Sequence, residues 1–189
     1  MKQLCFATNN AHKINEVAFA LGGAFEILTL AEIGCTEELP ETTGTISGNS
    51  RQKARYVTDH FQIDCFADDS GLEVDALNGE PGVDTAFYSG SRDHAKNMAF
   101  LLTKLDGITN RRARFRSVIT LVQNGEEDQF EGTVEGRIAT NLQGEGGFGY
   151  DPIFIPEGYD QTFGELSMEI KNGMSHRAKA VRALVAFLA

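Results

Sequence analysis

Residues Ile63 to Ala67 read as a short buried strand that stops at Asp68-Asp69-Ser70-Gly71, and this junction constrains the chain more than any other feature. Two adjacent carboxylates cannot both be buried without cations or hydrogen-bond donors to compensate them. A fold that keeps the strand inside must therefore bring positive charge to its end. A magnesium ion would serve, because it takes hard oxygen ligands, keeps several waters and is commonly held by one or two carboxylates together with substrate phosphates. Glu41, in a polar loop from Thr36 to Gly48, is a second carboxylate for such an ion beside Asp69. The plainer alternative is a turn capped by Asp68 or Asp69 through Asp-Ser-Gly.

The remaining segments supply the elements around this strand. Lys2 to Thr8 reads as a strand, and Ala11 to Leu21 as a helix with Ile14, Val17, Ala18 and Leu21 at helical spacing and Asn9 or Asn10 as its cap. A strand is expected at Phe25–Leu28 and helices at Asn49–His60 and Arg92–Leu105. Asn124-Gly125 between Ala113–Val122 and Gln129–Ile138 is a strong hairpin signal. A glycine-rich loop, Gly144 to Pro152, leads into a strand at Ile153–Ile155. A short helix over Phe163–Ile170 follows, then a terminal helix capped by Ser175 with Val181, Leu184, Val185 and Leu188 on its buried face. No linker or internal repeat interrupts the chain. The pattern predicts a single domain over 1–189, a mixed α/β fold with a central, partly antiparallel sheet flanked by helices, and two lobes with a cleft between them.

Charge and cysteine usage narrow the function classes. A net charge of −10 argues against a protein that coats DNA or RNA, which needs a broad positive stripe. A small phosphate ligand is compatible with an acidic chain if a few cations, glycine-rich backbone and a divalent metal converge. No run of about 20 apolar residues offers a membrane span, and a cytoplasmic location is the expectation. Cys5, Cys35 and Cys65 lack paired spacing, and Cys5 and Cys65 lie in apolar runs, so inert buried thiols are expected.

Besides Glu41 and the Asp68-Asp69 pair, two constellations lie at element boundaries, where rigid elements position side chains that loops leave accessible. Thr8-Asn9-Asn10-Ala11-His12-Lys13 joins a strand end to a helix start and has a phosphate-binding composition without being a Walker loop. Lys171 to Arg177 carries Ser175-His176-Arg177. Arg177 stands in the first turn of its helix, the unfavourable end for a cation, so an anion or an electron-rich base carbonyl must compensate it. In the loop Gly146 to Pro152, Phe148 and Tyr150 either stack on a nucleobase or plug the core.

These pieces, taken in order, resemble the inosine and xanthosine triphosphate pyrophosphatases of the Ham1-like family. The matching segments are TNNAHKINE (8–16), PETTG (40–44), NSRQKA (49–54), FADDSGLEVDAL (66–77), GEPGVDTAFYSG (79–90), RARF (112–115), EGTVEGRI (131–138), GGFGYDPIFIP (146–156), FGEL (163–166) and KNGMSHRAKA (171–180). The resemblance implies magnesium-dependent hydrolysis of a purine nucleoside triphosphate to monophosphate and pyrophosphate by a homodimer that uses no nucleic-acid polymer and no membrane. It implies that Thr8 through Lys13 and Lys53 grip the triphosphate and that Glu41 and Asp69 serve the magnesium. Asp69 is also the implied general base, and Asp68 supports the metal or orients the site. Ser70 contacts substrate, Phe148, Gly149, Tyr150 and Asp151 form part of the nucleoside pocket, and Lys171, His176 and Arg177 surround the base.

Three positions depart from the family's pattern. Gly48 stands where bacterial members often carry glutamate, Thr43 where many have glycine, and Phe87 in place of arginine. An acidic contribution and an ion pair or phosphate contact are expected to be missing, and the loop carrying Glu41 to be stiffer.

Overall fold

The computed structural model describes residues 3–23 and 25–189. Its strands are β1 (Gln3–Phe6), β2 (Glu26–Leu28), β3 (Cys65–Val74), β4 (Arg112–Gln123), β5 (Glu126–Ile138) and β6 (Phe154–Pro156). Its α-helices are α1 (Ala11–Leu21), α2 (Ile46–Phe61), α3 (His94–Lys104), α4 (Met168–Met174) and α5 (His176–Leu188). The strands form one sheet in the order β2-β1-β3-β4-β5-β6. β1 runs parallel to both β2 and β3, while β6 is antiparallel to β5, so the mixed α/β architecture expected from the sequence is the one observed. The hairpin signal holds: Asn124 and Gly125 both take positive φ, as a two-residue turn between twisted strands requires.

The chain divides into two compact units. The first contains the described residues up to Asp69 with Ser117–Gly132 and Arg177–Ala189; the second contains Ser70–Arg116 and Thr133–His176. In the first unit the pleat of β1 and β3 sorts side chains onto two faces, because successive residues of a strand point opposite ways. Leu4, Phe6 and Phe66 join Val17 and Leu21 of α1 and Val181 and Leu184 of α5 in one apolar cluster. Cys5, Ala7, Cys65 and Ala67 join Ala54 and Val57 of α2 in another. Strands buried on both faces read as continuous apolar runs, which is how Lys2–Thr8 and Ile63–Ala67 are recognised from sequence. Lys2 itself lies outside the described residues. The three cysteines are buried free thiols, all in the cluster with α2. The second unit has its own core, built from Leu72, Val74, Leu101, Phe115, Phe154 and Phe163 among others.

Several boundaries differ from expectation for local reasons. β3 does not stop at Asp68 but continues through Asp69, Ser70 and Gly71 to Val74. The carboxylates are compensated where they stand, so nothing forces a turn. α2 begins three residues early, at Ile46, because the Thr45 hydroxyl accepts the Gly48 N–H at 3.0 Å and caps the helix. The helix expected over Phe163–Ile170 is displaced to α4, capped by the Ser167 side chain. On α1, Ala18 is exposed and Glu16 is buried instead. No helix among the described residues is long and apolar enough to cross a membrane.

Candidate functional site

Continuation of the β3 pleat explains the acidic pair. Asp68 has the strand parity of Phe66 and Asp69 that of Ala67, so the two carboxylates leave opposite faces of one strand. Asp68 meets the helices on the Phe66 face. Its Oδ2 pairs with Lys13 Nζ of α1 at 2.8 Å and with Arg177 of α5, whose Nη2 and Nε lie at 3.2 and 3.3 Å. The Ser117 hydroxyl donates to Oδ1, and the Arg177 guanidinium also donates to the carboxylate of Glu16. Asp68, Glu16 and Arg177 are all buried. Burial alone would raise the Asp68 pKa, but Arg177 and Lys13 outweigh it and hold the carboxyl far below the usual range. Burial lowers the pKa of Lys13, and the Asp68 charge only partly offsets this.

Asp69 meets α2 on the other face. Lys53 Nζ donates to the Asp68 carbonyl at 2.9 Å, lies 3.4 Å from Asp69 Oδ1 and pairs with Glu41. Burial raises the Asp69 pKa, and the nearby lysines Lys53 and Lys13 do not cancel the effect. Lys53 is raised, since Asp69 and Glu41 overcome its own desolvation. The first unit thus gathers Glu41, Lys53, Asp69, Asp68 and Lys13. The start of α1 adds its backbone N–H groups, with Asn10 rather than Asn9 as cap: its Oδ1 accepts from His12 N at 3.0 Å and Lys13 N at 3.2 Å. Thr8 accepts the Asn10 N–H, and Asn9, Ala11 and His12 are exposed. Among the described residues no group of three or more His, Cys, Asp and Glu side chains is arranged to hold a metal. Two carboxylates, Glu41 and Asp69, with a phosphate to complete the oxygen set, do suit magnesium.

The loop carrying Glu41 is tied to the first turn of α2. Thr43 N donates to Asn49 Oδ1 at 3.1 Å and its hydroxyl to the same oxygen at 2.9 Å. A Cβ built on Gly48 would lie 2.7 Å from the Thr43 Cβ and 2.7 Å from the Thr45 hydroxyl. The two departures at 43 and 48 are therefore one exchange: the Thr43 side chain occupies space that a side chain at 48 would need. Gly48→Ala is expected to cost about 1–3 kcal/mol from overpacking. Adding Thr43→Gly should recover at least ~0.5 kcal/mol of that loss, as contacting positions couple. Urea denaturation of the wild type, both single variants and the double variant measures the coupling, and additive losses would separate the two positions.

The second unit holds the glycine-rich loop and α4. Asp151, buried in a single 3-10 turn (Asp151–Ile153), accepts from Phe148 N at 2.9 Å and pairs with Lys171 Nζ at 2.7 Å. Gly147 has φ +71°, and a Cβ there would meet Asp151 Cγ at 2.8 Å, so only glycine lets the loop close on this carboxylate. Lys171 Nζ lies 4.8 Å from the half-buried Phe148 ring centre, in a cation–π arrangement. The buried His176 ring stacks on Phe115 at 4.9 Å. Gly149 N donates to His94 Nδ1 at 3.2 Å, and Ser70 is half-buried in β3. Tyr150, expected beside a nucleoside, is instead buried in the second unit's core, with its hydroxyl on the Thr85 carbonyl at 2.8 Å. The ring plugs the core because that carbonyl satisfies its one polar atom. Phe87 is exposed at the end of a 3-10 helix.

Sequence reasoning missed Glu16 and Ser117. Glu16 lies one turn after Lys13 and breaks the apolar stripe of α1, a signal that a buried cation faces it. Ser117 gives no such sign.

Sheet order, flanking helices and a strand that delivers carboxylates to lysines on both faces define an α/β protein with a charged centre within β3. The chain belongs to the Ham1 family, whose model matches residues 4–187. It is 52% identical over 186 residues to a dITP/XTP pyrophosphatase of Flavobacterium psychrophilum, covering 98% of each chain. With the dITP/XTP pyrophosphatase of Porphyromonas gingivalis it shares 49% identity over 190 residues, 100% of this chain and 98% of the relative. Among solved structures, the Ham1 protein of Staphylococcus aureus superposes with a TM-score of 0.91 at 40% identity, covering 99% of this chain and 98% of that one.

Proposed function

We propose that this chain hydrolyses inosine, deoxyinosine and xanthosine triphosphates to the monophosphate and pyrophosphate, the whole chain acting as one catalytic domain that clears deaminated purines from the nucleotide pool. The observation that carries the reading is Lys53, whose ammonium pairs with both the buried Asp69 carboxylate and Glu41 and so brings the two acids to one cation. Burial raises the Asp69 pKa and so makes the carboxylate a stronger base than a free one, as a general base requires. The matching names of the relatives support the substrate class.

In this mechanism Asp69 orients a water and takes its proton as the oxygen attacks the α-phosphorus. The bond from that phosphorus to the bridging oxygen breaks, and the electron pair leaves with pyrophosphate. Lys13, Lys53 and the start of α1, from Thr8 to His12, offset the charge of the phosphoryl oxygens. Magnesium, held by Glu41 and Asp69, supplies further charge stabilisation when bound. We assign Asp68 to orientation: its carboxylate already serves Lys13, Arg177 and Ser117, and it fixes the lysine instead of the metal. Phe148, Gly149, Asp151, Lys171 and His176 serve the base, and Ser70 contacts substrate. Arg177 is assigned to Asp68 and Glu16, the anionic alternative that its place in a helix's first turn allows. A homodimer is proposed on the family resemblance, and the cytoplasmic location expected from the sequence is proposed with it.

Each nucleotide consumed should yield one pyrophosphate, with orthophosphate appearing only after another phosphatase is added. A nucleoside triphosphate panel in magnesium, with both products monitored separately, tests this. Diphosphate with stoichiometric orthophosphate would reject the bond assignment.

A further inference from the structure

The end of the β4–β5 pair remote from its turn borders an open cleft of about 500 Å³, lined by residues of the second unit alone. None of them is assigned to the nucleotide. Arg111, Arg112 and Arg137 stand in its wall against one acid, Asp160, in a chain whose net charge is −10. Arg111 has a structural role. Its guanidinium donates to the carbonyls of Ile138 at 2.8 Å, Ala139 at 2.9 Å and Leu105 at 3.1 Å, and so ties the strand ends together.

Arg112 and Arg137 have no such role. The Ile138 N–H donates to the Arg111 carbonyl at 2.9 Å, which sets Ile138 opposite Arg111 and Arg137 directly opposite Arg112 across the hairpin. This is the non-hydrogen-bonded kind of pair, with Cα atoms about 4.5 Å apart and side chains at their closest. Like charges placed so destabilise a sheet. Both side chains are exposed, and neither makes a hydrogen bond among the described residues. The nearest carboxylates, Asp75 at 3.7 Å and Glu135 at 3.8 Å from Arg112 and the fully exposed Asp160 at 3.6 Å from Arg137, lie beyond hydrogen-bond range. Such exposed pairs contribute about 0–1 kcal/mol and yield readily to a better partner.

We propose that Arg112 and Arg137 form an anion site for a small ligand with two linked phosphoryl groups. The proposal is independent of the catalytic reading. A guanidinium is a planar fork that grips phosphate oxygens in pairs, and two forks side by side match two adjacent phosphoryl groups. An anion between them turns repulsion into attraction, and Asn110, Thr140 and Gln143 bring further polar groups to the wall.

The test is a titration of ¹⁵N-labelled protein with inorganic pyrophosphate, free of magnesium and followed by NMR. The side-chain Nε–H signals of Arg112 and Arg137 should shift together, and orthophosphate should bind about 10-fold more weakly or worse. In the Arg112→Gln/Arg137→Gln double variant, pyrophosphate affinity read at the backbone N–H groups of Asn110 and Thr140 should fall about 10-fold or more. Signals at the start of α1 should respond as in wild type, and the melting temperature should not fall, since a repulsive pair has been removed. Adenosine diphosphate as a second probe identifies the ligand: tighter binding than pyrophosphate marks a nucleotide and weaker binding the free anion, and both support the site. Arginine signals that do not move in wild type would overturn the proposal, a result that needs no folded variant. Equal affinity for orthophosphate and pyrophosphate, or undiminished binding by the double variant, would overturn it as well.

Discussion

Asp69→Asn is expected to lower kcat by about 100-fold or more, because general base catalysis alone is typically worth 10²–10⁴-fold. The amide removes the basic oxygen and weakens a donor to magnesium in one step. Its neighbours stay in place: Lys53 keeps the Asp68 carbonyl and Glu41, and Asp68 keeps Lys13 and Arg177. Burial of ionised Asp69 works against the folded state, as its raised pKa shows. The neutral amide should therefore fold as well as the wild type. Loss of turnover with an unchanged melting temperature at saturating magnesium is the expected pair of results. Near-native kcat in a folded Asp69→Asn protein would reject the assigned role.

Arg177→Ala should act mainly on stability. The substitution leaves Glu16 and Asp68 buried without the guanidinium between them, and breaking a buried pair in this way costs about 3–5 kcal/mol. For a chain of this size that is a fall in melting temperature of roughly 6–20 °C. Lys13 should lose its fixed position with Asp68, so kcat/KM should drop for every nucleotide, leaving the inosine-to-adenosine ratio nearly constant. Calorimetry and steady-state kinetics with both substrates decide it. A stable variant whose ratio collapses would return Arg177 to the base.

What could be read from the sequence follows from the range of the forces involved. The pleat of β1 and β3, the cap at Asn10, the Asn124-Gly125 turn and the buried face of α5 depend on neighbours in the chain, and local pattern reveals them. The demand for cations around Asp68-Asp69 was legible too, since desolvation of paired carboxylates is independent of fold. Which cations answer it was not. Lys13, Lys53 and Arg177 reach the pair from three different helices, across sequence separations of up to 109 residues. The end assigned to β3 failed for the same reason: two acids look like a turn until distant charges make a strand tolerable. Tyr150 shows the limit at single side chains, where one carbonyl, that of Thr85, decides between ligand and core.

The exchange at Thr43 and Gly48 bears on how such a chain could change over time. With threonine at 43, any side chain at 48 collides; with glycine at both, the hydroxyl anchor to Asn49 is gone and the Glu41 loop is looser. A lineage moving between this arrangement and a glycine–glutamate one must pass through one of those intermediates. The loosened intermediate loses the Thr43 hydroxyl bonds but keeps the Thr43 N–H bond to Asn49, whereas the crowded one strains the start of a helix that carries Lys53. The passable route therefore changes 43 first in one direction and 48 first in the other. A side chain transplanted alone to position 48 should fail where the same change made together with glycine at 43 succeeds.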